Sequence, residues 1–462
     1  MEADYLIEES LTVTGPERSC LQRAFGPMGE GSLRAQILLL IMTTLGSTFF
    51  FLPYCAKRTG LLPTFSMLLI SACASYASSS ILYIGYSNTK AKTYNECMEL
   101  VLGKKVGYFS NLIVFFHTFA AVLSTWIFSF KYLTNGAEEI FEFTKESEFY
   151  WLYKILFFVF SFLLVYSITL SNKLEKLKMV ALVAIAFIIY LVGCFGFLTP
   201  KYYSHYKSEG KMNIFLFKED LFAFKAFGIC MYVFLNQFTI IPICNSVQNV
   251  TSDRAKKIFG RTIFTLVIIY ISVICVGYFT EPDDTKTEVF LLRIPLDSDR
   301  LILFGKMGFG LTLLVAVMVK GHYLLLYLHE LIATFPRVFL NSNAETQENK
   351  LEEKLNDDEN QAVEAKAQKV NVSFRFKAIV NFFFLALKAF LAVLLLEKLS
   401  LILSITGSLL GFFEIAVLPV WMLLSLNKNN SILSTCSRVM IIIAVVLLGA
   451  GCLGSLLYNL LL

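Results

Sequence analysis

Charge is scarce in this chain. Of its 462 residues only 16% are Asp, Glu, Lys or Arg, where a soluble globular domain carries about a quarter. That deficit excludes a freely soluble protein. The net charge of +5 is spread through the segments between apolar runs, which excludes nucleic acid as a partner. Histidine is rarer still, with four residues. The closest two, in "HYLLLYLHEL", stand seven apart and form no His-Glu-x-x-His zinc motif. The ten cysteines contain no Cys-x-x-Cys pair and nearly all lie inside apolar runs, so neither a disulfide framework nor a metal cluster is expected. There is no Walker-type phosphate loop and no Gly-x-Ser-x-Gly elbow. Neither an enzyme nor a cofactor is expected.

Apolar residues are what the chain has instead: 56% of it, with a mean hydropathy of +0.65. The apolar runs are long enough to cross a hydrocarbon core, which takes about 20 helical residues. Eleven spans are expected, over 33–58, 63–86, 108–133, 151–170, 178–198, 221–246, 260–280, 301–328, 377–396, 399–424 and 437–460. This predicts an all-α polytopic membrane protein. Lys and Arg gather in alternate loops, such as "SNKLEKLK" and "TSDRAKKIFGR", whereas "NGAEEIFEFTKESEFY" and "EPDDTKTEVF" are acidic. The bias places the polar tail 1–32 in the cytosol and, with an odd span count, the C-terminus outside. No cleavable signal peptide is read in the tail. The segment 341–373 is polar, apolar-poor and expected to be a loosely structured cytosolic linker. Asn-x-Ser/Thr triplets at Asn249, Asn371 and Asn429 fall on the cytosolic side, so no glycan is expected on them. The short stretch "EADYLI" fits an acidic-dileucine sorting pattern, leaving plasma membrane and endolysosomal or vacuolar membrane both open.

Two spans contain helix-weakening residues at mid-membrane depth. Span 1 loses its helical character at Gly46, in "TLGSTFFFLPYCAKRTG", and span 6 at Asn236 and Gln237, in "YVFLNQFTIIP". They head two groups of five spans, 33–200 and 221–340 with 374–425, leaving 437–460 as an eleventh span. Paired interruptions in two halves point to a midplane solute site in a secondary transporter. Unwinding frees backbone N–H and C=O groups that are costly in lipid unless satisfied. A zwitterion can satisfy them: its carboxylate suits the helix N-terminus after the first break, and its ammonium suits carbonyls near Leu45 and Phe234. A plain packing glycine at Gly46 is the duller alternative.

These residues resemble the amino acid/auxin permease family, which includes the system A/N-type and the proton-coupled amino acid transporters. In the first span, Gly46, Ser47, Leu52, Pro53, Tyr54, Lys57 and Gly60 fall on the family's signature. "TYNECMELVLGKKVG", "FLNQFTIIPICNSVQN" and "ITGSLLGFFEIAVLP" match further along, in order. The resemblance implies a LeuT-type 5+5 inverted repeat with discontinuous spans 1 and 6, an eleventh helix, and amino acid transport by alternating access. The binding residues it implies are Gly46, Ser47, Thr48, Ser124, Phe234 and Asn236. Thr48 and Phe51 stand where the family usually has glycine, which narrows the pocket and favours small substrates. Span 8 reads "LLVAVMVKGHYLL", with Ala316 where the sodium-coupled branch has a hydroxyl. An oxygen-poor site suits sodium badly, so proton coupling or no ion coupling is expected.

Ionisable residues inside apolar spans are functional candidates because they are costly there. Glu414, Lys320 and His117 are the coupling candidates. Glu414 could carry a proton through the cycle, Lys320 could supply a fixed positive charge, and His117 could relay protons. The alternatives are a packing residue, a snorkelling lysine and a hydrogen-bonded core histidine. A Lys320–Glu414 pair stays open. Lys388 has no resemblance behind it. The expected partners are an amino acid, protons and lipid, with a monomer favoured. An amino acid-sensing transceptor and a transport-inactive membrane subunit remain as other readings.

Overall fold

A computed structural model describes residues 31–46, 48–141, 150–169, 178–283, 300–339, 386, 398–430 and 435–461. The expected ninth span, Lys388, the linker 341–373 and Ser47 lie outside the described residues.

Among the described residues every regular element is helical, and eight helices are long and apolar enough to span a membrane. Most of the spans drawn from the sequence reappear with longer ends. Span 2 is Leu61–Thr89, span 3 Lys104–Phe141, span 4 Tyr150–Thr169, span 5 Lys178–Ser208 and span 7 Ser252–Thr280. Span 8 is Arg300–Phe339, and span 11 is Thr435–Leu461. The helices outrun the apolar windows because a helix continues past the lipid boundary wherever polar residues can form it.

Span 1 is two pieces. Leu33–Thr44 is capped at its start by the Ser32 hydroxyl, which accepts from the Ala35 N–H at 3.3 Å. Its last backbone bond, Leu45 N–H to the Ile41 carbonyl, is 2.7 Å long. The chain then turns by 51° into a 3₁₀ turn, Thr48–Phe51, and the helix Leu52–Thr59. Pro53 sits in that helix's first turn, where its missing N–H costs nothing. Span 6 is likewise two pieces, Phe222–Tyr232 and Ile240–Ser246, joined by Val233–Asn236 and a 3₁₀ turn at Gln237–Thr239. The second piece of span 1 packs on the first piece of span 6, and the first piece of span 1 on the second of span 6. The broken spans are therefore antiparallel. We call the side where span 1 begins the near face and the side of Gly60 the far face.

One element was not expected. The loop after span 2 carries a short helix, Tyr94–Leu102, closed by a reciprocal cap. The Thr93 hydroxyl accepts from Glu96 N–H at 3.2 Å, and the Glu96 carboxylate accepts from Lys92 N–H at 2.6 Å. The signal, Thr-x-x-Glu, was legible in the sequence. Span 10 is also less regular than its apolar pattern. After Leu399–Ile405 it widens into two π turns, Thr406–Leu410 and Phe413–Val417, before Leu418–Asn430. A side chain at Gly407 would run into the Gly228 carbonyl, so spans 6 and 10 meet backbone to backbone.

Two buried clusters flank the breaks. The far-side one holds Phe49, Phe50, Phe51, Phe128, Tyr132 and Tyr270. The near-side one holds Leu40, Tyr94, Phe238, Ile241 and Tyr327.

Candidate functional site

Where spans 1 and 6 are broken, a small cavity opens among spans 1, 3, 6, 7 and 8. Span 1 contributes Thr43, Thr44, Gly46, Thr48 and Phe49. Span 3 adds His117, Ala121, Ser124 and Thr125, and span 6 adds Tyr232, Val233, Leu235 and Phe238. Tyr270 of span 7 and Lys320 of span 8 complete the wall. Its free volume is about 20 Å³, room for a water molecule or two. A solute of amino acid size enters only if side chains move.

The cavity brings together five of the residues singled out in the sequence: Gly46, Thr48, Ser124, His117 and Lys320. A side-chain carbon built on Gly46 would lie 3.7 Å from the Lys320 ammonium and 3.8 Å from the Thr48 hydroxyl. The ammonium's polar neighbour is the Thr125 hydroxyl at 3.4 Å. Ser124 faces the Tyr232 hydroxyl at 3.5 Å.

The other candidates sit beside the cavity. Glu414, fully buried, accepts from or shares a proton with His117, whose Nδ1 lies 3.0 and 3.1 Å from the two carboxylate oxygens. The pair joins span 3 to the second π turn of span 10, so Glu414 meets His117 and not Lys320. The His117 ring is bounded by Phe238 at 5.3 Å and Tyr232 at 6.2 Å, both edge-on.

The break in span 6 is largely satisfied by the protein itself. The Phe234 carbonyl accepts from the Ser75 hydroxyl at 3.1 Å and the Val233 carbonyl from Tyr270 at 2.9 Å. The Asn236 N–H donates to the Gln237 side-chain oxygen at 2.9 Å, and Gln237 donates to Ser75 at 3.1 Å. Asn236 donates through its side-chain amide to Thr44, bridging the two breaks, and its buried side-chain oxygen has no partner among the described residues. Phe234 and Asn236 thus stand behind the cavity wall. Among the wall residues that sequence reasoning missed are the rings of Tyr232, Phe238 and Tyr270. Tyr232 and Phe238 lie within the quoted span 6 stretch, on either side of Asn236 and Gln237, whereas Tyr270 is one aromatic among many and left no signal.

A second cavity, about 160 Å³, lies on the near side between spans 1, 6 and 8. Thr43 and Phe238 line both, so these two side chains form the partition.

The far side is closed differently. Phe49, Phe50 and Phe51 lie in a ring cluster with Phe128, Tyr132 and Phe309, all under 2% exposed. Beyond them Lys57 pairs with Asp283 at 3.0 Å and Arg58 with Asp220 at 2.7 Å. The segment before span 6 straps the corner at Gly60: Leu61 and Leu62 donate to Phe215 and Leu216 carbonyls at 3.2 and 3.0 Å, and Lys218 donates to Thr59 at 3.0 Å. Gly60 has φ +93°, and a side chain there would approach the Leu216 carbonyl to 2.8 Å. Glycine is needed on both counts. Burial pushes the Asp220 carboxyl up, but the Arg58 hydrogen bond, the Phe222 N–H and the Arg58 and Lys218 charges together hold it below the ordinary carboxylate range.

Two antiparallel broken spans around a central cavity define a multi-pass membrane transporter fold of the LeuT type. Solved structures agree: the chain is similar to MhsT in complex with L-phenylalanine, at 17% identity over 94% of this chain and all of that one, with a TM-score of 0.51. It is also similar to a mutant of the Eremococcus coleocola manganese transporter, at 8% identity over 97% of both chains, with a TM-score of 0.51. The family described as "Transmembrane amino acid transporter protein" matches residues 29–462, and the chain belongs to it. Among curated proteins it is similar to "Putative amino acid transporter AAT1" of Plasmodium falciparum, 26% identical over 63% of this chain and 46% of that one. The protein of the same name from Toxoplasma gondii is 22% identical over 58% of this chain and 36% of that one. The chain thus spans less than half the length of these relatives.

Proposed function

We propose that the protein is a secondary active amino acid transporter working by alternating access, coupled to protons and not to sodium, with its near face in the cytosol. The substrate sits at the paired breaks, among Gly46, Ser47, Thr48 and Ser124, with Asn236 tying the second break to the first. The observation carrying this reading is the cavity at the junction of both breaks, separated from a near-side vestibule by Thr43 and Phe238 and from the far side by several aromatic layers. Such an arrangement exposes one site to one side at a time.

Glu414 and His117 supply the proton site. A carboxylate and an imidazole sealed from solvent hold a proton between them, and their balance shifts when the neighbouring wall moves. The π turns of span 10 give Glu414 a segment able to change its hydrogen bonding locally. Lys320 beside Gly46 places a positive charge between spans 1 and 8, which opposes binding of a second cation there.

The test is uptake into liposomes by the purified full chain, across an amino acid panel with sodium and pH varied separately. Saturable uptake raised by a proton gradient and indifferent to sodium is expected. Glu414→Gln is expected to abolish stimulation by the gradient while leaving exchange of substrate across the membrane. If no amino acid moves under any gradient, the reading fails.

A further inference from the structure

Charge inside the cavity is lopsided. Span 1 brings hydroxyls, a glycine and a ring to it, span 7 a tyrosine, and span 6 a tyrosine and apolar groups. Span 3 brings His117, whose carboxylate partner Glu414 lies behind it. Span 8 brings the Lys320 ammonium. Among the described residues no Asp or Glu lines the cavity. The ammonium is half-buried, touches the Thr125 hydroxyl, and has no carboxylate among the described residues within ion-pair distance. An ammonium drawn out of water without a counter-ion is unfavourable, and a carboxylate brought beside it relieves that cost. The space it commands is the one over Gly46, 3.7 Å away.

We infer that Lys320 is the carboxylate anchor and charge filter of the site: it admits small solutes bearing a free carboxylate, neutral or acidic amino acids, and rejects amino acids with a cationic side chain. The inference rests on the transport reading above and narrows its substrate class. Lysine suits this role as a compact point charge on a flexible stem, able to follow a carboxylate as the wall moves. Its interaction with a second ammonium at the same depth is repulsive and poorly screened. The small cavity, hemmed by Thr48, Phe49 and Tyr270, adds a size limit to the charge limit.

The experiment measures uptake, and thermal stabilisation of the purified chain, with L-alanine, L-aspartate, L-alanine methyl ester and L-lysine. Wild-type protein is expected to favour the first two at least tenfold over the ester, which lacks the anionic group, and over L-lysine. In Lys320→Gln that preference falls below threefold, and in Lys320→Arg it is retained. The wild-type panel decides the matter even if Lys320→Gln fails to fold. L-Lysine or the ester handled as well as L-alanine by wild-type protein overturns the charge filter while leaving amino acid transport standing. So does a tenfold preference surviving in Lys320→Gln. Failure of wild-type protein to move or bind any of the four overturns both.

Discussion

The two sides of the central cavity are closed by different chemistry. On the far side, three successive phenylalanines of span 1 interlock with Phe128, Tyr132 and Phe309, backed by two ion pairs and a backbone strap. On the near side, Thr43 and Phe238 separate the cavity from a 160 Å³ vestibule. Opening the far side must separate several ring pairs, each worth about 0.5–1.5 kcal/mol beyond its buried area, and break the strap. Joining the two cavities on the near side involves only two side chains, Thr43 and Phe238. Packing is thus heavier on the far side of the central cavity than on the near side, and the asymmetry teaches where stability is concentrated.

Truncating the far seal at its centre should have the largest effect. Phe128 is fully buried, 5.6 Å from the Phe51 ring and 5.8 Å from that of Tyr132. Phe128→Ala is expected to lower stability by about 3–5 kcal/mol. Thermal unfolding in detergent measures this, and an unchanged melting temperature would mean that the cluster is not what holds the far side shut.

The strap comes next. Gly60→Ala forces a side chain into a conformation nearly reserved for glycine and against the Leu216 carbonyl, at a cost of about 1–3 kcal/mol. Faster labelling of a thiol introduced beyond Gly60 is the readout. Equal labelling in both proteins would show the corner to be independent of the seal.

The exposed ion pair should matter least. Arg58 is 41% exposed, so its pair with Asp220 contributes at most about 1 kcal/mol. Because the folded Asp220 carboxyl lies below its ordinary value, its contribution is complete above about pH 4 and is lost as the pH falls through the lower folded value. Melting temperature against pH should therefore lose this term only in strong acid, and Asp220→Asn should remove it. Wild-type and Asp220→Asn profiles are expected to differ near neutral pH and to converge in acid, and profiles that coincide near neutral pH and separate only in acid would contradict the assignment.

The helical architecture was legible because apolar length reports it directly. Gly46 and Asn236 showed where the helices fail, since both residues weaken a helix for local reasons. The capped helix at Tyr94–Leu102 carries an equally local signal, the Thr93–Glu96 cap, set within a polar stretch between two apolar runs. The partner of Glu414 was not legible. His117 is 297 positions away, and which residue meets Glu414 depends on the rotation of spans 3 and 10, which the π turns alter. The Phe234 carbonyl is similar: its helix break was visible, but not that Ser75 of span 2 would occupy it.

By itself, then, the sequence determined that this chain is a multi-pass membrane protein of apolar helices and that two of those helices break, at Gly46 and around Asn236. Those are properties of short windows, set by residue hydropathy and local backbone preference. Only the tertiary structure decided that His117 pairs with Glu414, that Lys320 faces Gly46 with no carboxylate beside it among the described residues, and that a ring cluster closes the far side of the cavity while a second cavity lies on the near side. Each of these depends on how distant helices are rotated and packed against one another, which no local window contains.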